Sequence, residues 1–211
     1  MMMAIRSGIT LALVGVLAFA AYTVLDMTLN SEFAYAAKLP KLEPGAEMPA
    51  FALTDTTGTE HTLAQYEGKV VVLNFSCHNC PFSRGADPSI NDLAKQYADK
   101  GVVFLGVDSS AATTPDDINQ HIESMGISYP ILKDTGNAYA DAVGAKVTPE
   151  IFVVDGEGKL AYHGAPDNRS GPDAKPSEQY LADALEALAS GGDVEPAETK
   201  AWGCGIKRAK K

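Results

Sequence analysis

The sequence has few basic side chains and few cysteines. It has 17 lysines and arginines against 27 aspartates and glutamates, which gives a formal charge of −10, and three cysteines in 211 residues. This charge balance disfavours nucleic acid and an anionic membrane surface as partners, because both attract cations. The chain also lacks internal repeats and tracts rich in glutamine or asparagine, so repeat and low-complexity architectures are excluded. We therefore expect an ordinary globular protein.

The first 36 residues have the pattern of an export segment. Arg6 precedes an apolar stretch at 8–25, and Ala-Tyr-Ala at 34–36 offers a cleavage site. The apolar stretch is also close to the minimum length of a spanning helix. We expect either cleavage after Ala36 or an uncleaved membrane anchor at 1–36. Both outcomes place the rest of the chain outside the cytoplasm, in the periplasm or secreted, where dithiols can be oxidised.

The exported part predicts one domain and a tail. Residues 37–192 contain alternating strand and helix patterns, and their number suits a single hydrophobic core. Residues 193–211 form the predicted tail, which contains Cys204 and ends in basic side chains. We interpret the basic end at 207–211 as solvated.

Strand and helix patterns alternate along this domain. Two short extended pieces around Gly58 indicate a hairpin. The β-branched runs at 69–75 and 102–108 are typical of strands that are buried on both faces. Helical periodicity follows each run; we expect Pro88 to kink or restart the first helix and Thr114 to cap the second.

A hairpin and a helix complete the order of elements. Residues 150–164 form the predicted hairpin, which turns at 156–158, and 177–190 form the last helix. Alternating units build parallel strands, whereas the closing hairpin must be antiparallel. The order therefore predicts an α/β fold with a central mixed β-sheet, helices on both faces and an N-terminal β-hairpin extension.

Cys77 and Cys80 form a C-x-x-C pair at the exit of the first buried strand. Pro81 stands where covalent haem attachment requires histidine. Structural zinc needs four ligands, and Cys204 and the histidines provide no second paired motif. A structural disulfide between residues three apart would stabilise the fold far less than the roughly 3 kcal/mol of a 15-residue loop. The pair therefore suits redox chemistry better than structural support.

We predict Cys77 as the nucleophile of this pair. The strand would deliver Cys77 to the first turn of the next helix, where free N–H groups and the helix dipole favour a thiolate. A protonated His78 would lower the pKa of Cys77 further, although His78 fits a spacer equally well. Cys80, one turn along, is expected to be more buried and to attack a mixed disulfide at Cys77.

Three segments resemble the thioredoxin-like superfamily, and within it the redoxin branch (AhpC/TSA-like, peroxiredoxin-like) that includes exported disulfide reductases. These segments are KVVVLNFSCHNCPF, VTPEIFVVDGEGKLAYHG and GCGIK, and the resemblance extends over residues 42–207. It implies a thioredoxin-like fold in which Pro149 is a cis-proline packed against the C-x-x-C motif. It also implies that Thr148 presents its backbone to an extended substrate.

Asn74 departs from the family pattern in two respects. Thioredoxin has a buried acid on the strand before the C-x-x-C motif, whereas the best match here is Asn74, which cannot act as a base. His78 or water then remains for proton transfer. Peroxiredoxins place threonine three residues before the peroxidatic cysteine, and Asn74 holds that place before Cys77, which weakens a peroxidase interpretation.

Cys204 leaves an odd number of cysteines in an exported chain. It lies in a glycine-flanked segment, AWGCGIK, that could swing over the active site. Cys204 is therefore a candidate third redox cysteine with a resolving or regulatory role. A buried free thiol beneath Trp202 and an intermolecular disulfide are the alternatives.

These observations predict an exported, monomeric thiol-disulfide oxidoreductase with no metal and no cofactor beyond a redox-active Cys77–Cys80 disulfide. Its partners would be a protein disulfide substrate and an upstream thiol donor. Reduction is preferred over oxidation because the resemblance is to exported reductants. The alternative enzyme is a thiol peroxidase that uses Cys77, with Cys80 or Cys204 resolving. The alternative without catalysis is a copper-binding chaperone that uses Cys77, Cys80 and His163.

Overall fold

The computed structural model describes residues 42–210. The strands are β1 Ala52–Asp55, β2 Glu60–Thr62, β3 Val70–Phe75, β4 Val102–Asp108, β5 Ile131–Lys133, β6 Val147–Thr148, β7 Glu150–Val154, β8 Leu160–Gly164 and β9 Cys204–Gly205. The helices are α1 Pro81–Tyr97, α2 Pro115–Met125, α3 Ala138–Val143 and α4 Tyr180–Ala189, with short 3₁₀ turns at Leu63–Tyr66 and Thr135–Asn137. The predicted export segment at 1–36 lies outside this range. Within residues 42–210, none of the helices combines the length and the apolar composition needed to cross a bilayer.

Seven of the described strands form one mixed sheet in the order β2-β1-β5-β4-β3-β7-β8. The central strand β3 pairs parallel with β4 and antiparallel with β7. The parallel pairs arise from strand–helix–strand units, and the antiparallel pairs arise from hairpins. The N-terminal hairpin joins the sheet where β1 pairs antiparallel with β5. The predicted mixed sheet and hairpin extension are confirmed.

Helices cover both faces of the sheet, as predicted. Helices α1, α2 and α4 pack on one face, where Ile90, Ile118 and Leu185 are buried. Helix α3 packs on the other face, together with Met48 and Phe51 from the segment before β1. Along β3, Val72 points into the first core, and Val71 points into the second, because successive strand residues face opposite sides. Two buried faces explain why this strand is apolar at consecutive positions.

Helix α1 differs from the prediction at its start. It begins at Pro81, and Cys80 is its N-cap, so Cys77 lies before the helix and not in its first turn. Proline fixes this start because its ring sets φ for the first helical position, where a backbone N–H is not needed. The helix also continues through Pro88 without restarting. Packing of Ile90 and its neighbours into the core offsets the backbone hydrogen bond that Pro88 cannot donate.

Helix α2 begins as predicted. The Thr114 hydroxyl accepts a hydrogen bond from the Asp117 amide at 3.2 Å, and the Asp117 carboxylate accepts one from the Thr114 amide at 2.8 Å. This reciprocal pair satisfies N–H groups that have no partner within the helix. Gly126 ends the helix at a φ of 62°, in the left-handed region that favours glycine.

The C-terminal segment crosses the domain and pairs with it. Strand β9 pairs antiparallel with β6, and Cys204 stands opposite Thr148. Farther along, the Arg208 guanidinium donates to the carbonyl of Ala145 and forms an ion pair of 2.8 Å with Asp141. Lys207, Arg208 and Lys210 are exposed, as predicted for a solvated basic end, although Arg208 also contacts backbone and carboxylate acceptors.

Candidate active site

Cys77 and Cys80 lie in a tight turn between β3 and α1. The Cys80 amide donates to the Cys77 carbonyl at 3.0 Å, and the Cys77 amide donates to the Ser83 hydroxyl at 3.3 Å. The exposed fraction is 8% for Cys77 and 2% for Cys80. Cys80 is thus the more buried of the two, as predicted, and Cys77 is the more accessible thiol.

A cavity of about 230 Å³ opens on this turn. It is lined by all three cysteines and by Thr148. The Thr148–Pro149 peptide bond is cis, as predicted. The structure therefore brings the two cysteines of the motif, Cys204 and Thr148 to one place, although Cys204 is far away in sequence.

The Cys80 sulfur has three close polar contacts. Its Sγ lies 2.7 Å from the Sγ of Cys204, 3.0 Å from the carbonyl oxygen of Thr148 and 3.5 Å from the amide nitrogen of Ser83. Burial by itself raises the pKa of Cys80, but hydrogen bonding with Cys204, with Thr148 and with the Ser83 amide outweighs burial and lowers that pKa below its ordinary value. The site thus favours a Cys80 thiolate.

The Cys204 thiol is shifted in the opposite direction. Burial, the hydrogen bond with Cys80 and the charge of Cys80 together raise the pKa of Cys204 to about 11, and burial is the largest cause. When one thiol of this pair is ionised, the remaining proton therefore stays on Cys204, which donates to the Cys80 thiolate. The prediction that Cys77 lies in the first turn of the helix is wrong, because the helix begins at Pro81 and the Ser83 amide of its first turn donates to Cys80.

Asp108 belongs to the site and was missed from the sequence. Its carboxylate, the Cys77 Sγ and a ring nitrogen of His78 lie within 4.8 Å of one another. Asp108 ends β4 and is buried, and Lys133 balances its charge through an ion pair of 2.8 Å. The sequence contained a signal for Asp108. Parallel strands β3 and β4 end side by side, and binding sites of such sheets lie at the carboxyl ends of the strands. The carboxylate and the imidazole provide two proton acceptors near Cys77.

His78 faces away from the cavity of the cysteines. Its Nδ1 lies 3.4 Å from the hydroxyl of Thr113, and its side chain lines a neighbouring pocket with Arg84 and His121. The structure therefore places His78 beside Cys77 but in a different pocket from the one that Cys204 lines. Its predicted catalytic role stays a prediction.

The copper alternative required His163 near the two cysteines. In the structure, His163 Nε2 lies 2.7 Å from a Glu150 carboxylate oxygen, and the imidazole stacks on Phe152 with ring centroids 4.4 Å apart. The group of metal-capable side chains found within the described part of the chain is Cys77, His78 and Asp108, and it does not include His163. The structure thus gives no support to a ligand set that contains His163, because Glu150 engages that ring.

Known proteins share both the sequence pattern and the fold. The model of the AhpC/TSA family matches residues 44–163. The thiol-disulfide oxidoreductase ResA of Bacillus cereus (strain ATCC 10987 / NRS 248) is 30% identical over 126 residues, which is 60% of this chain and 72% of that protein. The ResA protein of Bacillus subtilis (strain 168) is 27% identical over 156 residues, or 74% of this chain and 80% of that protein.

Solved structures extend the comparison to the whole described domain. A hypothetical protein from Sinorhizobium meliloti 1021 superposes with a TM-score of 0.76 at 27% identity, over 82% of this chain and 98% of that one. A conserved protein from Geobacillus kaustophilus gives 0.75 at 28% identity, over 82% and 99% of the two chains. A putative thiol:disulfide interchange protein DsbE from Chlorobium tepidum has the same fold, with a TM-score of 0.61 at 24% identity over 71% of this chain and 99% of that one.

The relatives named for an activity are thiol-disulfide oxidoreductases, which agrees with two cysteines held in one turn at the end of a buried strand. The peroxidase alternative is less favoured by the same comparison. The matched family region covers more than half of the 211 residues. The chain is an enzyme, a thiol-disulfide oxidoreductase of thioredoxin-like fold, and it belongs to the AhpC/TSA family.

Proposed function

We propose that the protein reduces disulfides of other proteins outside the cytoplasm, with Cys77 as the attacking thiol and Cys80 as the resolving thiol. The observation that carries this proposal is the cavity at the C-x-x-C turn, which is lined by both thiols and by Thr148. A thiol pair at the wall of a cavity is accessible to a substrate disulfide.

Cys77 begins the reaction because it is the more exposed thiol of the pair. An Asp108 carboxylate oxygen and a His78 ring nitrogen lie within 4.8 Å of its sulfur, a separation at which one water molecule can relay the proton. The Cys77 thiolate attacks one sulfur of the substrate disulfide, so that a mixed disulfide forms and the other substrate sulfur leaves as a thiolate.

Cys80 completes the reaction from the buried side of the turn. The hydrogen bonds around its sulfur lower the pKa of Cys80, which makes its thiolate more available than that of an ordinary cysteine. This thiolate attacks Cys77 Sγ, the Cys77–Cys80 disulfide forms, and the second substrate thiolate leaves. Two electrons have then passed from the enzyme to the substrate, and an upstream thiol donor restores the dithiol.

The extracytoplasmic location rests on the pattern of residues 1–36, which matches an export signal or a membrane anchor. A C-x-x-C dithiol needs a donor in such a compartment, because the surroundings oxidise thiols. The chemistry requires no metal and no organic cofactor, since the electrons reside in the Cys77–Cys80 pair. We propose that the enzyme acts as a monomer.

Insulin reduction tests the roles of the two cysteines. With dithiothreitol as the donor, the wild-type protein is expected to accelerate insulin precipitation, and Cys77→Ser is expected to lose this acceleration. Cys80→Ser is the matched variant: it retains the attacking thiol and is expected to accumulate a mixed disulfide between Cys77 and insulin, visible by mass spectrometry. Wild-type activity in Cys77→Ser would exclude Cys77 as the nucleophile.

A further inference from the structure

Strand β9 occupies the edge of β6 where an extended peptide would pair. Cys204 stands opposite Thr148, and the Ile206 amide donates to the Lys146 carbonyl at 2.9 Å. At Gly203 the two segments approach so closely that a Cβ atom would lie 2.0 Å from the Thr148 carbonyl oxygen. The chain's own C-terminal segment therefore fills the backbone site beside the cis-proline.

Two further contacts hold this segment in place. The Trp202 ring packs against Phe82 of α1, with ring centroids 5.6 Å apart, and its indole N–H donates to the Asp167 carbonyl at 2.7 Å. Trp202 is thus anchored two residues before Cys204. Anchoring on one side and strand pairing on the other keep the Cys204 thiol against Cys80.

We propose that β9 is an internal substrate strand, whose Cys204 exchanges with the Cys77–Cys80 disulfide to form a Cys80–Cys204 disulfide. The proposal rests on the proposed function, because it uses the disulfide which that reaction leaves behind. The geometry supports it through the 2.7 Å approach of the two sulfur atoms and through the pairing of β9 with Thr148.

The exchange conserves atoms and electrons. The Cys204 thiol gives up its proton, and its sulfur attacks Cys80 Sγ. The Cys80–Cys204 bond forms, the Cys77–Cys80 bond breaks, and Cys77 leaves as a thiolate that takes up a proton. One disulfide and one thiol are present before and after, so no external oxidant is consumed.

The local charges favour this step in the oxidised enzyme. Burial raises the pKa of Cys204, and the Cys80 anion raises it further. Once Cys80 is part of a disulfide it has no charge, so this second cause is removed and the Cys204 thiol loses its proton more readily. The product leaves Cys77 as a free thiol at the cavity while Cys204 is covalently held beside Thr148.

Two variants, each with one cysteine replaced, test whether this bridge forms. Cys77→Ser retains Cys80 and Cys204, and the matched control Cys80→Ser retains Cys77 and Cys204. Each is equilibrated with glutathione redox buffers, alkylated and mapped by mass spectrometry. The Cys80–Cys204 bridge is expected with an effective concentration of about a millimolar or higher, because docked thiols react as an intramolecular pair, and about ten-fold less bridge is expected in the control.

Three results would overturn the proposal. The first is a Cys77→Ser variant that accumulates glutathione adducts with no more bridge than the control. The second is equal bridge formation in guanidinium-denatured Cys77→Ser, because the proposed preference depends on the docked strand. The third is oxidised wild-type protein that contains Cys77–Cys80 without any Cys80–Cys204, since both bridges are expected there.

A different observation would contradict the proposed function. Insulin reduction that survives in Cys77→Ser overturns the proposed roles of Cys77 and Cys80, whichever bridge the mapping finds. Loss of the Cys80–Cys204 bridge together with normal Cys77-dependent insulin reduction overturns the internal substrate strand alone.

Discussion

Replacing Gly203 by alanine is predicted to release β9 from Thr148. Gly203 has a φ of 136°, which side-chain-bearing residues rarely adopt. An added Cβ would lie 2.0 Å from the carbonyl oxygen of Thr148 and 2.7 Å from its carbonyl carbon. Both atoms belong to the buried backbone of Thr148, next to the central sheet. This backbone has little room to shift, so β9 has to move.

The size of the effect follows from the backbone strain. A side chain in such a conformation costs about 1–3 kcal/mol, and the overlap with Thr148 adds to this cost. A difference of about 1–3 kcal/mol shifts the equilibrium between docked and undocked β9 by roughly 5–150-fold. Strand β9 is not part of the seven-stranded sheet, so we expect the rest of the fold to keep its stability.

Hydrogen exchange at the C-terminal segment measures this release. The Ile206 amide donates to Lys146 in the docked state, and its exchange in Gly203→Ala is expected to accelerate by the same factor. Gly205→Ala is the matched control, because Gly205 lies on the same strand and its added Cβ would meet no atom within 4 Å. Equal exchange of Ile206 in the two variants would refute the argument that close approach at Gly203 holds the strand.

Two other substitutions test the charges of the fold. In a Cys77→Ser background, Cys204→Ala is expected to raise the pKa of Cys80, because a donor to the thiolate is lost while burial still opposes ionisation. The pH profile of Cys80 alkylation by iodoacetamide should then move to higher pH, and an unchanged profile would contradict the assigned hydrogen bond. Arg169→Met removes the guanidinium that binds the buried Asp167 carboxylate at 2.6 Å, and the unpaired carboxylate is expected to lower the free energy of unfolding by about 3–5 kcal/mol. Urea denaturation measures this loss, with Lys159→Met, which breaks the exposed pair with Glu157, as a control expected to change little.

The main sheet could be predicted because its signals are local. The β-branched runs of β3 and β4 indicate strands with two buried faces, and Thr114 with Asp117 indicates a helix start through a reciprocal pair three residues apart. The start of α1 was also present in the sequence, since proline favours the first helical position. Assigning Cys77 to the helix overlooked this preference of Pro81.

Parts of the site depend on contacts that no local pattern reveals. Strand β9 has two residues, too few for a periodic signal, and its partner β6 lies more than fifty positions earlier. The buried His121–Asp87 pair, with 3.0 Å between ring nitrogen and carboxylate, joins α2 to α1 through side chains that are far apart in the sequence. Such pairings are decided by tertiary packing, so the structure was needed to find them.

The contact between Cys80 and Cys204 joins positions 124 residues apart. In the chain-entropy model a covalent bond there would restrict the unfolded chain by roughly 5 kcal/mol, against roughly 2 kcal/mol for the short Cys77–Cys80 loop. Both disulfides have the same oxidation state, yet the long one ties the first helix of the site to the end of the chain. Moving the bond from Cys77–Cys80 to Cys80–Cys204 would therefore add about 3 kcal/mol to the free energy of unfolding without any change in oxidation state.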